Sequence, residues 1–95
     1  MKLDTVKAIV TGAASGMGKV FTLALAEAGA DVYGADMNSE ALAELATAAR
    51  GLPGKVHTGT ANVADEDAVV AMIEDAHKMM GGLNVLVNNA GIFRD

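Results

Sequence analysis

The sequence predicts an α/β fold in which helices cover a parallel sheet. Short apolar runs alternate along the chain with longer segments whose apolar residues recur at helical spacing. The composition agrees, because 52% of the residues are hydrophobic but only 3% are aromatic, and small aliphatic residues suit helices packed closely on a parallel sheet. With 95 residues, the chain forms one small domain or part of a larger one.

The first predicted strand and helix are joined by a glycine-rich turn. Lys7–Val10 is a short apolar run, and a helical apolar pattern continues to Gly29. The stretch Thr11–Gly18 between them contains three glycines. A helix start offers unpaired N–H groups and the positive end of a dipole, and glycine lets a phosphate approach the backbone. The turn therefore predicts an anion site, with a turn that only connects strand to helix as the alternative.

The spacing of the glycines separates this turn from other phosphate loops. A Walker-type loop is excluded at two positions, because Ala13 replaces its first glycine and Val20 its Ser or Thr. The common dinucleotide fingerprint is Gly-x-Gly-x-x-Gly. Here Gly12, Gly16 and Gly18 give Gly-x-x-x-Gly-x-Gly instead.

Three further strands and two further helices are predicted after the turn. Asn38 or Ser39 can cap the second helix, and Asp65 the third. The strands are Asp31–Ala35, Lys55–Thr60 and Leu83–Val87. The last of these is a nearly continuous apolar run, of the kind that is buried on both faces. Right-handed crossovers then give a doubly wound, Rossmann-type parallel sheet with strand order 3-2-1-4.

Four sequence features are expected at one edge of this sheet, because parallel strands end on the same side. They are the glycine turn, Asp36, Asn62–Val63 and Asn89–Gly91, which follow strands one to four. Ligands of such sheets bind at this edge, where the strand order reverses. The four features therefore predict a single binding crevice.

Asp36 predicts the type of dinucleotide. It lies 18 residues beyond Gly18, close to the spacing at which an acidic residue accepts hydrogen bonds from the adenosine ribose. A carboxylate repels the 2′-phosphate of NADP, and neighbouring Met37 offers no cation to attract one. NAD is therefore favoured over NADP. The alternative is that Asp36 is a solvated strand end or a helix cap.

Together these motifs resemble those of the short-chain dehydrogenase/reductase family, and the resemblance spans essentially the whole chain. The glycine motif is matched by Thr11-Gly12-x-x-x-Gly16-x-Gly18, the acidic NAD selector by Asp36, the Asp-Val adenine contact by Asn62-Val63, and the Asn-Asn-Ala-Gly motif by Asn88–Gly91. The resemblance implies that residues 1–95 are the N-terminal NAD-binding half-domain of a larger protein.

The resemblance also implies which residues bind NAD. The set is Gly12, Ser15, Gly16, Met17, Gly18, Asp36, Met37, Asn62, Val63, Asn89, Ala90 and Gly91. Asn62 replaces the usual aspartate, but its amide oxygen can still accept a hydrogen bond from adenine. Asn88 is expected to tie strand ends together rather than to touch the ligand. Gly91–Asp95 resembles the start of the substrate-side loop in the oxoacyl-thioester reductase branch.

The catalytic residues of the family have no counterpart in this chain. Members use a Ser and a Tyr-x-x-x-Lys that follow later, whereas Tyr33 lies inside the second strand with Met37 at the lysine spacing. The resemblance implies a parent enzyme that transfers a hydride between nicotinamide and a carbonyl or secondary alcohol. The 95 residues alone are expected to be inactive. A stand-alone dinucleotide-binding or scaffold module is the alternative.

Composition bears on partners and location. The net charge of −5 without a basic cluster argues against nucleic acid or an anionic membrane as partner. His57 and His77 have no third ligand that would make a metal site, and the chain has no cysteine. Without a signal peptide or a membrane-spanning run, a cytoplasmic location is expected. The unpaired edge of the fourth strand predicts association, as a homo-oligomer or with a complementing C-terminal half.

Overall fold

The computed structural model describes residues 2–89, and in them a four-stranded parallel sheet is combined with three helices. The elements are β1 (Lys7–Thr11), α1 (Gly16–Glu27), β2 (Asp31–Asp36), α2 (Ser39–Ala48), β3 (Lys55–Thr60), α3 (Glu66–Met80) and β4 (Val85–Asn88). The strands are ordered β3-β2-β1-β4. This confirms the predicted Rossmann-type sheet and its order.

Side chains that alternate along the central strands form two separate cores. One core joins Val10 and Val32 to Leu45 of α2, and partly buried residues of α1 pack against it. The other joins Ile9 and Tyr33 to buried residues of α3. Because neighbouring residues of a strand point to opposite faces, α1 and α2 cover one face and α3 covers the other. The sheet is therefore doubly wound.

The helix starts differ in how their first N–H groups are satisfied. Asn38 caps α2 by accepting a hydrogen bond from the Ala41 N–H at 3.0 Å. Asp65 caps α3 by accepting from two backbone N–H groups of its first turn. Ser15 precedes α1 but makes no side-chain capping bond.

Among the helices of residues 2–89, none is both long and apolar enough to cross a membrane.

The fourth strand begins later than predicted. The sequence predicts Leu83–Val87, whereas the structure has Val85–Asn88. Asn84 leaves the strand because its side chain accepts a hydrogen bond from the Lys7 N–H at 2.8 Å and donates one to a nearby backbone carbonyl. It thus anchors the chain before the strand starts.

The predicted burial of β4 on both faces is wrong. Val85 is 37% exposed and Leu86 is 56% exposed. The reason is the position of the strand, because β4 lies at the edge of the sheet and pairs with β1. The apolar run indicated a strand correctly, and its exposure agrees with the unpaired edge that the sequence also predicted.

Candidate functional site

A cavity of about 520 Å3 lies at the carboxyl end of the sheet. Its walls come from the loops that follow all four strands, which confirms that these loops converge. The lining residues are Gly12, Ser15, Gly16, Met17, Ala35, Asp36, Met37, Ala61, Val63 and Asn89.

The glycines of the turn are needed for two different reasons. Gly12 and Gly16 have φ angles of 64° and 57°, a region that residues with a Cβ rarely adopt. Gly18 instead allows a close approach, because a Cβ there would collide with the Gly12 carbonyl oxygen and lie 2.7 Å from the Asn89 amide nitrogen. Gly18 does not line the cavity, so its place in the site is to let α1 pack against the turn.

The start of α1 forms one wall of the cavity. Ser15, Gly16 and exposed Met17 line it, and the first turn of the helix carries no acidic residue. The N–H groups at a helix start and the positive end of its dipole attract anions. This wall can therefore bind a phosphate group.

Asp36 also lines the cavity, at the end of β2. One carboxylate oxygen accepts a hydrogen bond from the Ala14 N–H at 3.1 Å, and the other accepts from the Asn38 N–H at 3.0 Å. A carboxylate can accept about four hydrogen bonds. Asp36 can therefore still accept hydrogen bonds from hydroxyl groups of a ligand. The neighbouring Met37 side chain is 67% exposed.

A hydrogen-bond network joins the ends of β1 and β4. The Thr11 hydroxyl donates to the Asn88 side-chain oxygen at 3.1 Å and accepts from the Asn89 N–H at 3.0 Å. The Asn89 side chain in turn donates to the Gly12 carbonyl at 3.4 Å. The role predicted for Asn88 is confirmed, since it ties the strand ends together. Ala90 and the segment Gly91–Asp95 lie outside the described residues.

Asn62 is placed differently from its neighbour Val63. Val63 lines the cavity, whereas the Asn62 side chain accepts a hydrogen bond from the Ala64 N–H at 3.0 Å and thereby closes its own turn. Ala35 and Ala61 also line the cavity, although the sequence did not predict them as site residues. Alanine carries no chemical signal, and only its position next to predicted site residues could have identified them.

Two titratable side chains lie away from this cavity. Tyr33 is buried and its hydroxyl donates to an Asp75 carboxylate oxygen at 2.7 Å. Burial raises the pKa of Tyr33, and the hydrogen bond and charge of Asp75 raise it further. His57 contacts an Asp31 carboxylate oxygen at 2.7 Å. Within residues 2–89, no group of three or more His, Cys, Asp or Glu is arranged to hold a metal ion.

Comparison with known proteins identifies the family. A family model for short chain dehydrogenases matches residues 6–95. The chain belongs to the short-chain dehydrogenase/reductase family.

The relatives are oxidoreductases. A 3-oxoacyl-[acyl-carrier-protein] reductase of Thermotoga maritima is 45% identical over 95 residues, which are the whole of this chain and 39% of that protein. The 3beta-hydroxysteroid dehydrogenase 2 of Eggerthella lenta is 39% identical over 85 residues, 90% of this chain and 33% of that protein.

A solved structure shows the same fold at high similarity. The 7 alpha-hydroxysteroid dehydrogenase complexed with NADH and 7-oxo glycochenodeoxycholic acid superposes with a TM-score of 0.91 at 33% identity. The match covers 96% of this chain and 36% of that one. The chain thus spans less than two-fifths of the length of these three relatives.

Proposed function

We propose that this chain is the NAD-binding half-domain of an NAD-dependent short-chain oxidoreductase. The parent protein transfers a hydride between nicotinamide and a carbonyl or secondary alcohol, in the cytoplasm. The observation that carries the choice of cofactor is the Asp36 carboxylate in the wall of the cavity. A nicotinamide cofactor supplies or accepts the hydride when it is bound, and the residues described here bind and orient it.

Charge supports NAD rather than NADP. The lining of the cavity contains Asp36 and, among the described residues, neither lysine nor arginine. An NADP site needs a cation for the 2′-phosphate, while a carboxylate accepts hydrogen bonds from free ribose hydroxyls. The dinucleotide of lower charge therefore fits this wall better.

The remaining assignments follow the positions around the cavity. The pyrophosphate would bind at the start of α1, at Ser15, Gly16 and Met17, because the helix dipole and free N–H groups favour an anion there. Adenine would lie against Val63 and Met37, with Asn62 holding the turn that presents Val63. Asn89, with Ala90 and Gly91, would line the ribose on the nicotinamide side.

Catalysis would need residues that these 95 do not provide. Tyr33 is buried against α3, does not line the cavity, and holds its proton more tightly than an ordinary tyrosine. A tyrosine that relays a proton needs its pKa lowered, not raised. We therefore expect the 95-residue chain alone to bind NADH without reducing carbonyl compounds.

A titration of the purified 95-residue chain tests the choice of cofactor. We expect NADH, followed by its fluorescence, to bind at least about tenfold more tightly than NADPH. The Asp36 carboxylate repels the 2′-phosphate of NADPH, whereas it accepts a hydrogen bond from the free ribose hydroxyl of NADH. In Asp36→Asn the preference should shrink towards unity, since the repelling charge is gone.

Asp65→Asn is the matched control for this titration. Asp65 also accepts two backbone N–H bonds but does not line the cavity, so its variant should keep the preference for NADH. NADPH binding as tightly as NADH in the unmodified chain would contradict the assignment of NAD. A chain that binds neither dinucleotide would contradict the binding site itself.

A further inference from the structure

The Asp36 side chain joins two segments that are far apart in sequence. It accepts one hydrogen bond from the next turn, at the Asn38 N–H, and one from the glycine turn 22 residues earlier, at the Ala14 N–H. A residue that only reads ribose would need neither bond. The bond to Ala14 reaches into the loop that would bind the pyrophosphate.

Ala14 lies between the two glycines of the turn that have positive φ, Gly12 and Gly16. Such a turn is conformationally free unless other contacts hold it. Two bonds fix it to the end of β2, from the Ala13 N–H to the Ala35 carbonyl and from the Ala14 N–H to Asp36, each of 3.1 Å. The bond to Asp36 has a charged acceptor, and such charge-assisted hydrogen bonds are stronger than those between neutral groups.

Burial makes this contact important for the geometry of the turn. Ala14 is only 7% exposed and its bond to Asp36 is partly buried, so water replaces this acceptor less readily than at an exposed amide. A buried N–H that loses its partner is costly, and the turn would shift to satisfy it. The residues that follow Ala14 are Ser15 and Gly16, which form the phosphate-binding wall.

We propose, on the basis of the function proposed above, that Asp36 is a positioning residue for the phosphate-binding turn as well as the residue that reads the ribose. Its carboxylate holds Ala14 and so fixes the start of α1 before the cofactor arrives. A loop held in its bound conformation binds more tightly, because less entropy is lost on binding.

A positioning role for Asp36 reverses the sign of the electrostatic effect expected when its charge is removed. Asp36 is an anion near the proposed site of another anion, so removing its charge should by Coulomb's law strengthen the binding of phosphate groups. If Asp36 also positions the turn, its removal weakens their binding instead. A ligand without ribose separates the two effects, since it cannot sense the loss of a ribose contact.

The test uses inorganic pyrophosphate and the 15N-labelled 95-residue chain. Pyrophosphate is titrated by amide chemical shifts into the unmodified chain, Asp36→Ala and Asp65→Ala at constant ionic strength. We expect Asp36→Ala to weaken binding by about 3- to 10-fold, which corresponds to one ordinary hydrogen bond. Asp65→Ala, the control that loses a carboxylate outside the cavity lining, should bind like the unmodified chain.

Hydrogen exchange of the Ala14 amide gives a second measurement. It should be slow in the unmodified chain and in Asp65→Ala, and at least about tenfold faster in Asp36→Ala, because the acceptor is gone. If Asp36→Ala does not fold, Asp36→Asn replaces it. The asparagine side chain has one oxygen for the N–H groups of Ala14 and Asn38. The weaker pyrophosphate binding and the faster exchange of the Ala14 amide are therefore both expected to be smaller.

The outcomes distinguish this inference from the proposed function. NADH binding by the unmodified chain, together with equal or tighter pyrophosphate binding by the folded Asp36 variant, would overturn the positioning role and leave the function intact. Unchanged exchange at Ala14 would overturn it as well. A folded, unmodified chain that does not bind NADH would overturn the function and the positioning role together.

Discussion

Two glycines of the same turn are needed for different physical reasons. Gly18 has no room for a side chain, because a Cβ would collide with the backbone carbonyl of Gly12. Gly16 has open space around its Cα but a φ of 57°. The sequence motif does not distinguish these two requirements, since both appear as an obligatory glycine.

Alanine substitution should separate the two roles. We expect Gly18→Ala to lower the free energy of unfolding by about 1 to 3 kcal/mol or more, because the backbone must move to relieve the overlap. Gly16→Ala should cost about 1 to 2 kcal/mol, the strain of a left-handed alanine. Urea denaturation followed by circular dichroism measures both. A Gly18→Ala chain as stable as the unmodified chain would show that the close approach is readily relieved.

A tyrosine connects three elements on the α3 side of the sheet. Tyr33 of β2 lies across Gly59 of β3, where a Cβ would collide with its hydroxyl, and it bonds Asp75 of α3. A glycine inside a strand normally weakens it. The structure shows why glycine is suited to this position, because it makes room for the tyrosine that ties α3 to the sheet.

The raised pKa of Tyr33 predicts a loss of stability in alkali. The unfolded chain releases the tyrosine proton near pH 10, whereas the folded chain keeps it, so the contribution of this group is full below about pH 10 and falls above it. Urea denaturation of the unmodified chain and of Tyr33→Phe at about pH 8 and about pH 11 tests this. At the lower pH the variant should be less stable by about 1 kcal/mol, the value of one hydrogen bond.

Between the two pH values the unmodified chain should lose more stability than Tyr33→Phe, because only the former can ionise at this position. The comparison cancels every other effect of pH, because the two chains differ only at residue 33. Equal losses in the two chains would show that Tyr33 ionises as readily in the folded protein as in the unfolded one.

Across the whole molecule, exposed apolar side chains accompany the edge of the sheet that β4 forms. Leu86 is 56% exposed on β4, and Val70 and Ile73 of α3 are 51% and 36% exposed. Exposed apolar side chains and an unpaired strand edge both promote association. At the other edge of the sheet, α2 packs against β3 and β2.

We expect the purified 95-residue chain to self-associate through this edge. Leu86→Lys should shift the sedimentation profile towards monomer, because a charge on an edge strand opposes pairing. Ala46→Lys adds the same charge on the exposed face of α2 and should leave the profile unchanged. A monodisperse monomer in the unmodified chain would contradict the prediction, and equal effects of both lysines would show that net charge alone is responsible.

The order of elements, the strand order and most of the cavity wall could be predicted from the amino-acid sequence. Apolar periodicity reports which face of an element is buried, and right-handed crossovers leave few topologies for alternating strands and helices. Gly12, Asp36 and Asn89 could be placed at one edge for the same reason, since parallel strands end together.

The contacts that individual side chains make there became visible in the folded structure alone. The bond between Asp36 and Ala14, the turn closed by Asn62 and the collision that excludes a Cβ at Gly18 are contacts between distant segments or local turns. The exposure of β4 likewise depends on which strand pairs with it. Such contacts depend on distances of a few ångströms across the fold, and a linear pattern of residue types does not contain those distances.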